Sequence, residues 1–200
     1  MSSKAKSALA ATAYHEAGHA LAHHVLGWGN GEVTIVPDKE RVGSARIADG
    51  ARLRRLLRQL EFGTINTLLV AKCHDHILCL LAGKEAQKKF RPKSIRSYMA
   101  RSDHNAAAEL LVSLYQDQKE RNAASRYLEL RTRNLISGTV HWRMIQDLAV
   151  ALLERQTLTG EAVNTIFQAS ERACYAERNH SNELGQRPDS ERSFRQPPPF

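Results

Sequence analysis

The sequence contains little that would cross-link the chain or hold it in a membrane. Its cysteines, Cys73, Cys79 and Cys174, are odd in number and irregularly spaced, which predicts no disulfide framework and favours a reducing compartment. The most apolar stretch, 67–81, is interrupted by charged and histidine side chains, so it falls short of the roughly 20 apolar residues that span a bilayer. The first residues lack the apolar core of a signal peptide. These absences predict a cytoplasmic protein.

Negative charge is also scarce, because 29 lysines and arginines against 21 acidic residues give a formal net charge of +8. Arginines crowd one side of a predicted helix at 51–61 and leucines the other, which is typical of a solvated basic face. No recognised nucleic-acid motif accompanies them, so a nucleic-acid partner is not expected. The sequence has no GxxxxGK[ST] phosphate loop, which excludes ATP hydrolysis by that type of module.

The sequence does contain one HExxH motif, formed by His15, Glu16 and His19. Alanine and leucine residues around the motif favour a helix, which glycines within 27–31 should end. Residues four apart on a helix lie on the same face, so both histidines can offer a ring nitrogen to one zinc ion. Glu16 would then lie beside the metal as the general base that takes a proton from water. The motif predicts a zinc peptidase.

A catalytic zinc site needs a third protein ligand, and the residue types alone leave several candidates. His23 shares the helical face but lies two turns from His15, about 12 Å away, which is too far to share one ion. The remaining candidates are imidazoles and carboxylates further along the chain, namely Asp103, His104, His74, Asp75, His76 and Glu85. The run 73–76 could also form a second metal site. Adjacent residues point to different sides of a helix, however, so polar positions on a partly buried helix are the simpler interpretation.

The rest of the sequence predicts a mainly α-helical domain of the α+β class with a small β-hairpin. Alternating β-branched residues predict strands at 32–37 and 42–47. Helical periodicity predicts helices at 51–61, 64–90, 103–115, 123–136, 140–156 and 160–178. We expect a flexible N-terminus over 1–7, a zinc metallopeptidase domain over 8–178 and a disordered, polar and proline-rich tail over 179–200.

Three sequence blocks resemble, in the correct order, the peptidase domain of the FtsH-type ATP-dependent zinc metalloproteases. They are AYHEAGHAL followed by VTIVP and VGSARI, then LLAGKEAQKKF followed by ARSDHNAAAELL, and finally LAVALLERQTLTGEAV. The likeness spans about 13–167. It implies that His15 and His19 are zinc ligands, that Glu16 is the general base and that Asp103, at the position of the family's aspartate, is the third ligand.

The chain departs from that family at two points near the implied site. Ser102 stands where the family has asparagine, and Ala82 and Gly83 stand at the family's glycine pair, which affects the surroundings of a metal more than its ligation. The family's ATPase module and transmembrane helices are missing, so the chain resembles a stand-alone peptidase domain. It is then expected to cleave unstructured segments of protein or peptide substrates, with a separate ATPase or adaptor, or a homo-oligomer, as conceivable partners.

The VGSARI segment carries a candidate substrate-binding strand, Gly43, Ser44, Ala45, Arg46 and Ile47. Such a strand can pair with an extended peptide and hold its scissile carbonyl over the metal. The alternative is an ordinary hairpin strand. A second function also stays open, a non-proteolytic zinc-bound module that uses its basic surface to bind protein or nucleic acid. The intact Glu16 favours the enzyme, because a purely structural zinc site needs no base.

Overall fold

The structure of this chain is a computed structural model that describes residues 3–38, 42–94 and 101–185. Within these ranges the fold is mainly helical with one three-stranded antiparallel sheet, which confirms the predicted α+β class. The helices are α1 (Ser3–Val25), α2 (Gly50–Phe62), α3 (Thr67–Phe90), α4 (Arg101–Leu114), α5 (Gln118–Ser137), α6 (Thr139–Arg155) and α7 (Gly160–Gly185). The strands are β1 (Asn30–Thr34), β2 (Ser44–Ile47) and β3 (Thr157–Leu158).

The sheet has the order β2-β1-β3, so β1 lies in the middle. β1 and β2 form the predicted hairpin, in which Val33 pairs with Ala45. β3 was not predicted, and it pairs with the other side of β1 through Leu158. Gln156 adopts a positive φ of 66°, which turns the chain out of α6 directly into β3. Among the described strands, β2 therefore has a neighbour on one side only.

The core forms where α1 crosses α3 and α6. Small side chains on α1 allow the close crossing, since a Cβ on Gly18 would lie 2.6 Å from the Cβ of Ala86 on α3. Leu148 of α6 and Phe167 of α7 are fully buried in the same apolar cluster. A second cluster joins α3 to α4 and α5 around Ile77 and Leu128. Together these contacts hold the HExxH helix against α3 and bring the start of α4 to its polar face.

Several element boundaries differ from the predicted ones. α1 begins at Ser3, inside the segment expected to be flexible, and α7 continues to Gly185, inside the expected tail. α5 begins at Gln118, earlier than predicted, because the side chain of Asp117 caps the first backbone N–H groups. Residues 186–200 of the expected tail lie outside the described residues. None of the described helices combines the length and the apolar character needed to cross a bilayer.

Candidate metal centre

Three predicted ligands meet at the junction of α1, α3 and α4. The Nε2 atoms of His15 and His19 lie 3.1 Å apart on the same face of α1. Asp103, in the first turn of α4, places Oδ2 3.4 Å from both of these nitrogens. Among the described residues this is the group of three whose ligand atoms all fall within 4.8 Å of one another. The arrangement can hold one metal ion.

The hydrogen bonds of the second nitrogen of each imidazole determine whether Nε2 is available to bind a metal. Nδ1 of His15 lies 3.1 Å from Oε1 of Gln87, and Nδ1 of His19 lies 2.8 Å from the carbonyl oxygen of Cys79. Both partners accept hydrogen bonds, so each Nδ1 donates one, and an imidazole that carries no second proton directs the lone pair of Nε2 toward the other ring. Two lone pairs and a carboxylate oxygen at these distances repel unless a cation lies among them. The donor set, two imidazoles and a carboxylate, fits zinc.

Without a metal, the same group binds a proton tightly. Burial alone would lower the pKa of His19, but its hydrogen bond to Asp103 and the charges of Asp103 and Glu16 outweigh that effect and raise the pKa to about 9. Burial would raise the pKa of Asp103, yet the two histidines hold it well below its usual range. A metal ion must therefore displace this proton, which makes metal binding dependent on pH.

Glu16 lies beside the two histidines on α1 and is 4% exposed. The backbone that leads into β2 passes directly over it, since a Cβ on Gly43 would lie 2.8 Å from Oε1 of Glu16. Only glycine permits so close an approach at this point. The structure thus brings the predicted base, the predicted ligands and the start of the predicted substrate strand together.

Two residues of α3 shape the centre, and neither role was predicted from the sequence. Gly83 faces the histidines, and a Cβ there would overlap the Nε2 atoms of both His15 and His19. Gln87 is 1% exposed and binds His15 through Oε1, while its Nε2 donates to the carbonyl oxygen of Ser94 at 3.1 Å. Two signals pointed to Gly83, namely a glycine within a helix of otherwise good helix formers and its place at the glycine pair of the resembled family. Nothing in the sequence indicated Gln87.

The other candidate ligands lie elsewhere. His104 is exposed on α4, His74 forms a 2.6 Å hydrogen bond to the hydroxyl of Tyr115, and Glu85 pairs with Arg133 at 3.5 Å. His76 is buried but packs beside Trp28, at a ring-centroid separation of 5.5 Å. Among the described residues, the group that could hold a metal ion includes none of the side chains of 73–76.

A cleft of about 770 Å³ opens over the three ligands and Glu16. All five residues of the predicted substrate strand, 43–47, line it. Residues of α3 and of the start of α4 also line it, namely Leu80, Ser102 and Ala106. The cleft is therefore lined both by β2 and by the helices that surround the metal centre.

Fold and site together define a mainly helical domain in which an HExxH helix and an aspartate from a later helix share a candidate metal centre. No protein-family model and no curated protein matches this chain.

Proposed function

We propose that the chain is a zinc-dependent endopeptidase that hydrolyses peptide bonds in unstructured protein segments. The observation that carries the proposal is the position of Asp103, whose Oδ2 lies 3.4 Å from the Nε2 atoms of both His15 and His19. It completes a set of three protein ligands, the number that catalytic zinc sites use while they leave a position open for water or substrate. The order of the blocks that resemble the FtsH-type peptidase domain supports the same assignment.

In this proposal the zinc ion, Glu16 and the residues that hydrogen-bond to the two histidines have separate roles. Zinc would supply a Lewis acid that polarises the scissile carbonyl and makes water a better nucleophile. Glu16, held by α1 beside the two histidines, accepts a proton from the attacking water and passes it to the leaving amine. Gln87 and the Cys79 carbonyl keep the imidazoles in the tautomer that leaves Nε2 free to bind the metal.

The substrate would lie along β2. Because β2 has a neighbour on one side only among the described strands and lines the cleft beside the metal centre, its other side can pair with an extended peptide. Such backbone pairing requires an unfolded segment, which explains the proposed limit to unstructured substrates. Efficient degradation of a tightly folded protein without a separate ATPase would contradict the limit to unstructured substrates.

The cysteines of the described chain are free, which supports the proposed cytoplasmic location.

The test compares wild type with Glu16→Gln, both loaded with zinc, on an unfolded model protein. We expect wild type to cleave it and Glu16→Gln to lose at least about 100-fold in rate, since general base catalysis contributes on the order of 10²–10⁴-fold. Glu16→Gln should still bind one zinc per chain. Glu154→Gln, an exposed position on α6, is the matched control and should cleave like wild type. Equal cleavage by Glu16→Gln and wild type would contradict the proposed role.

A further inference from the structure

The cleft extends beyond the metal centre to a second pair of histidines. His23 lies one helical turn after His19 on α1, and His76 lies on α3, one turn before Cys79. Both line the cleft, although they are only 5% and 8% exposed. Apolar side chains of Ile47, Leu53 and Leu80 line the cleft with them. We call His23 and His76, with these three residues, the inner end of the cleft.

The two histidine pairs differ in how their rings are held. In His15 and His19, an oxygen fixes Nδ1 as the donor. In His23 and His76, Nδ1 is buried and no described atom forms a well-aligned hydrogen bond with it, although the side-chain amide of Asn30 interacts with the His23 ring. No hydrogen bond sets the tautomer of His76, and the amide of Asn30, which carries both an acceptor and a donor, can match either tautomer of His23. Each ring can therefore either donate or accept a hydrogen bond within the cleft.

The inner end also carries no charge. Among the described residues that line the cleft, the acidic and basic ones are Glu16 and Asp103 at the metal centre and Arg46 on β2. Burial lowers the pKa of His23 to about 3 and that of His76 to about 4, so both imidazoles are neutral at pH 7. A lysine or glutamate side chain placed here would lose its hydration without meeting an opposite charge, which is unfavourable.

Resting on the proposed peptidase function, we infer that the inner end is a specificity subsite for a glutamine or asparagine side chain next to the scissile bond. A side-chain amide offers one donor group and one acceptor, which two imidazoles of adjustable tautomer can both satisfy. Its methylene groups would contact Leu53 and Leu80. An aliphatic side chain of the same length would fill the space but leave the imidazoles without partners, which costs binding energy.

The test uses zinc-loaded protein and a set of peptides. Each peptide carries glutamine, leucine or lysine at one of the two positions next to the scissile bond and is otherwise identical to the others. Wild type should cleave the glutamine peptide with at least about tenfold higher kcat/KM than the others. In His76→Leu the preference should shift to leucine by about 10–100-fold, because the site loses a hydrogen-bonding partner for the amide. His23→Leu, made separately, should shift it in the same direction. His180→Leu, an exposed position on α7, is the matched control.

A second measurement separates this inference from the peptidase proposal. The affinity of the same peptides for zinc-loaded Glu16→Gln is measured with and without the His76 substitution. Tighter binding of the glutamine peptide that is lost in the double variant supports the subsite, even where wild type cleaves nothing and the peptidase proposal fails. Cleavage by wild type with no preference for glutamine, or with a preference unchanged in both folded histidine variants, would overturn the subsite and leave the peptidase proposal intact.

Discussion

The side-chain oxygen of Gln87 accepts a hydrogen bond from Nδ1 of His15 at 3.1 Å, while the amide nitrogen of the same glutamine donates to the carbonyl oxygen of Ser94. Gln87 thereby joins the HExxH helix to the turn that follows α3. This bond determines which nitrogen of His15 faces Asp103. The metal centre thus depends on a side chain that touches no metal and lies far from the motif in sequence.

Substituting Gln87 should weaken metal binding without unfolding the protein's helices. We expect Gln87→Ala to lower zinc affinity by about 10–100-fold, since loss of a hydrogen bond that orients a metal-bound histidine typically costs that much. Gln87→Glu, which preserves the acceptor, should restore most of it. The measurement is competition with a chelator of known affinity, with Gln168→Ala, an exposed position on α7, as control. Wild-type affinity in Gln87→Ala would contradict the orienting role.

Asp103 and its neighbour His104 offer a direct test of the third ligand. Asp103→Ala should reduce zinc affinity by at least about 100-fold, because it removes one of three ligands and leaves two. His104→Ala should bind zinc like wild type, since that side chain is exposed on α4. Zinc titration of both variants by calorimetry checks the prediction. A loss of affinity in His104→Ala alone would instead assign the ligand to the histidine.

The role of β2 can be tested on the enzyme and on the substrate. Proline is substituted separately for Ser44 and for Ala45. The variant in which proline replaces the residue whose N–H pairs with the peptide should lose at least about tenfold in kcat/KM, because proline has no N–H to donate. The matching experiment on the other partner uses peptides methylated at single backbone nitrogens, which removes one donor at a time. Unchanged KM and kcat in both folded proline variants would identify β2 as an ordinary hairpin strand.

The stability of the metal-free protein should depend on pH through His19. Its pKa is raised from 6.5 to about 9 by Asp103, so the bound proton stabilises the fold fully below about pH 6.5. That contribution, on the order of 3 kcal/mol, is lost as the pH rises through 9. The pKa values of His23 and His76 are lowered, so these residues influence the stability only at pH values below 6.5, outside the range in which His19 acts.

Urea unfolding of chelator-treated protein at pH 6.5 and 9.5 measures this effect. We expect a lower free energy of unfolding at pH 9.5 in wild type and a smaller decrease in Asp103→Asn, where the carboxylate that holds the proton is gone. Zinc affinity should change in the opposite direction and rise with pH over the same window, because the ion displaces the proton. An equal decrease in wild type and Asp103→Asn would assign the pH dependence to other groups.

Features that are local along the chain could be predicted from the residues alone. His15, Glu16 and His19 fall on one helix, so their spacing fixed their relative positions, and the periodicity of the later segments located the helices closely except at the start of α5 and the end of α7. The hairpin of β1 and β2 was also accessible, because its strands are close in sequence. Asp103 was selected from several candidates only through the family resemblance.

Features that depend on packing between distant segments became visible in the folded chain alone. β3 is two residues long and pairs with β1 across more than half of the chain, which no local pattern indicates. Gln87 reaches His15, and Gly83 makes room for both histidines, only because α1 and α3 cross so closely at Gly18. The polar inner end of the cleft arises in the same way, from one histidine on each helix. Contacts of this kind follow from side-chain packing in three dimensions, whereas sequence periodicity reports only which face of each helix is buried.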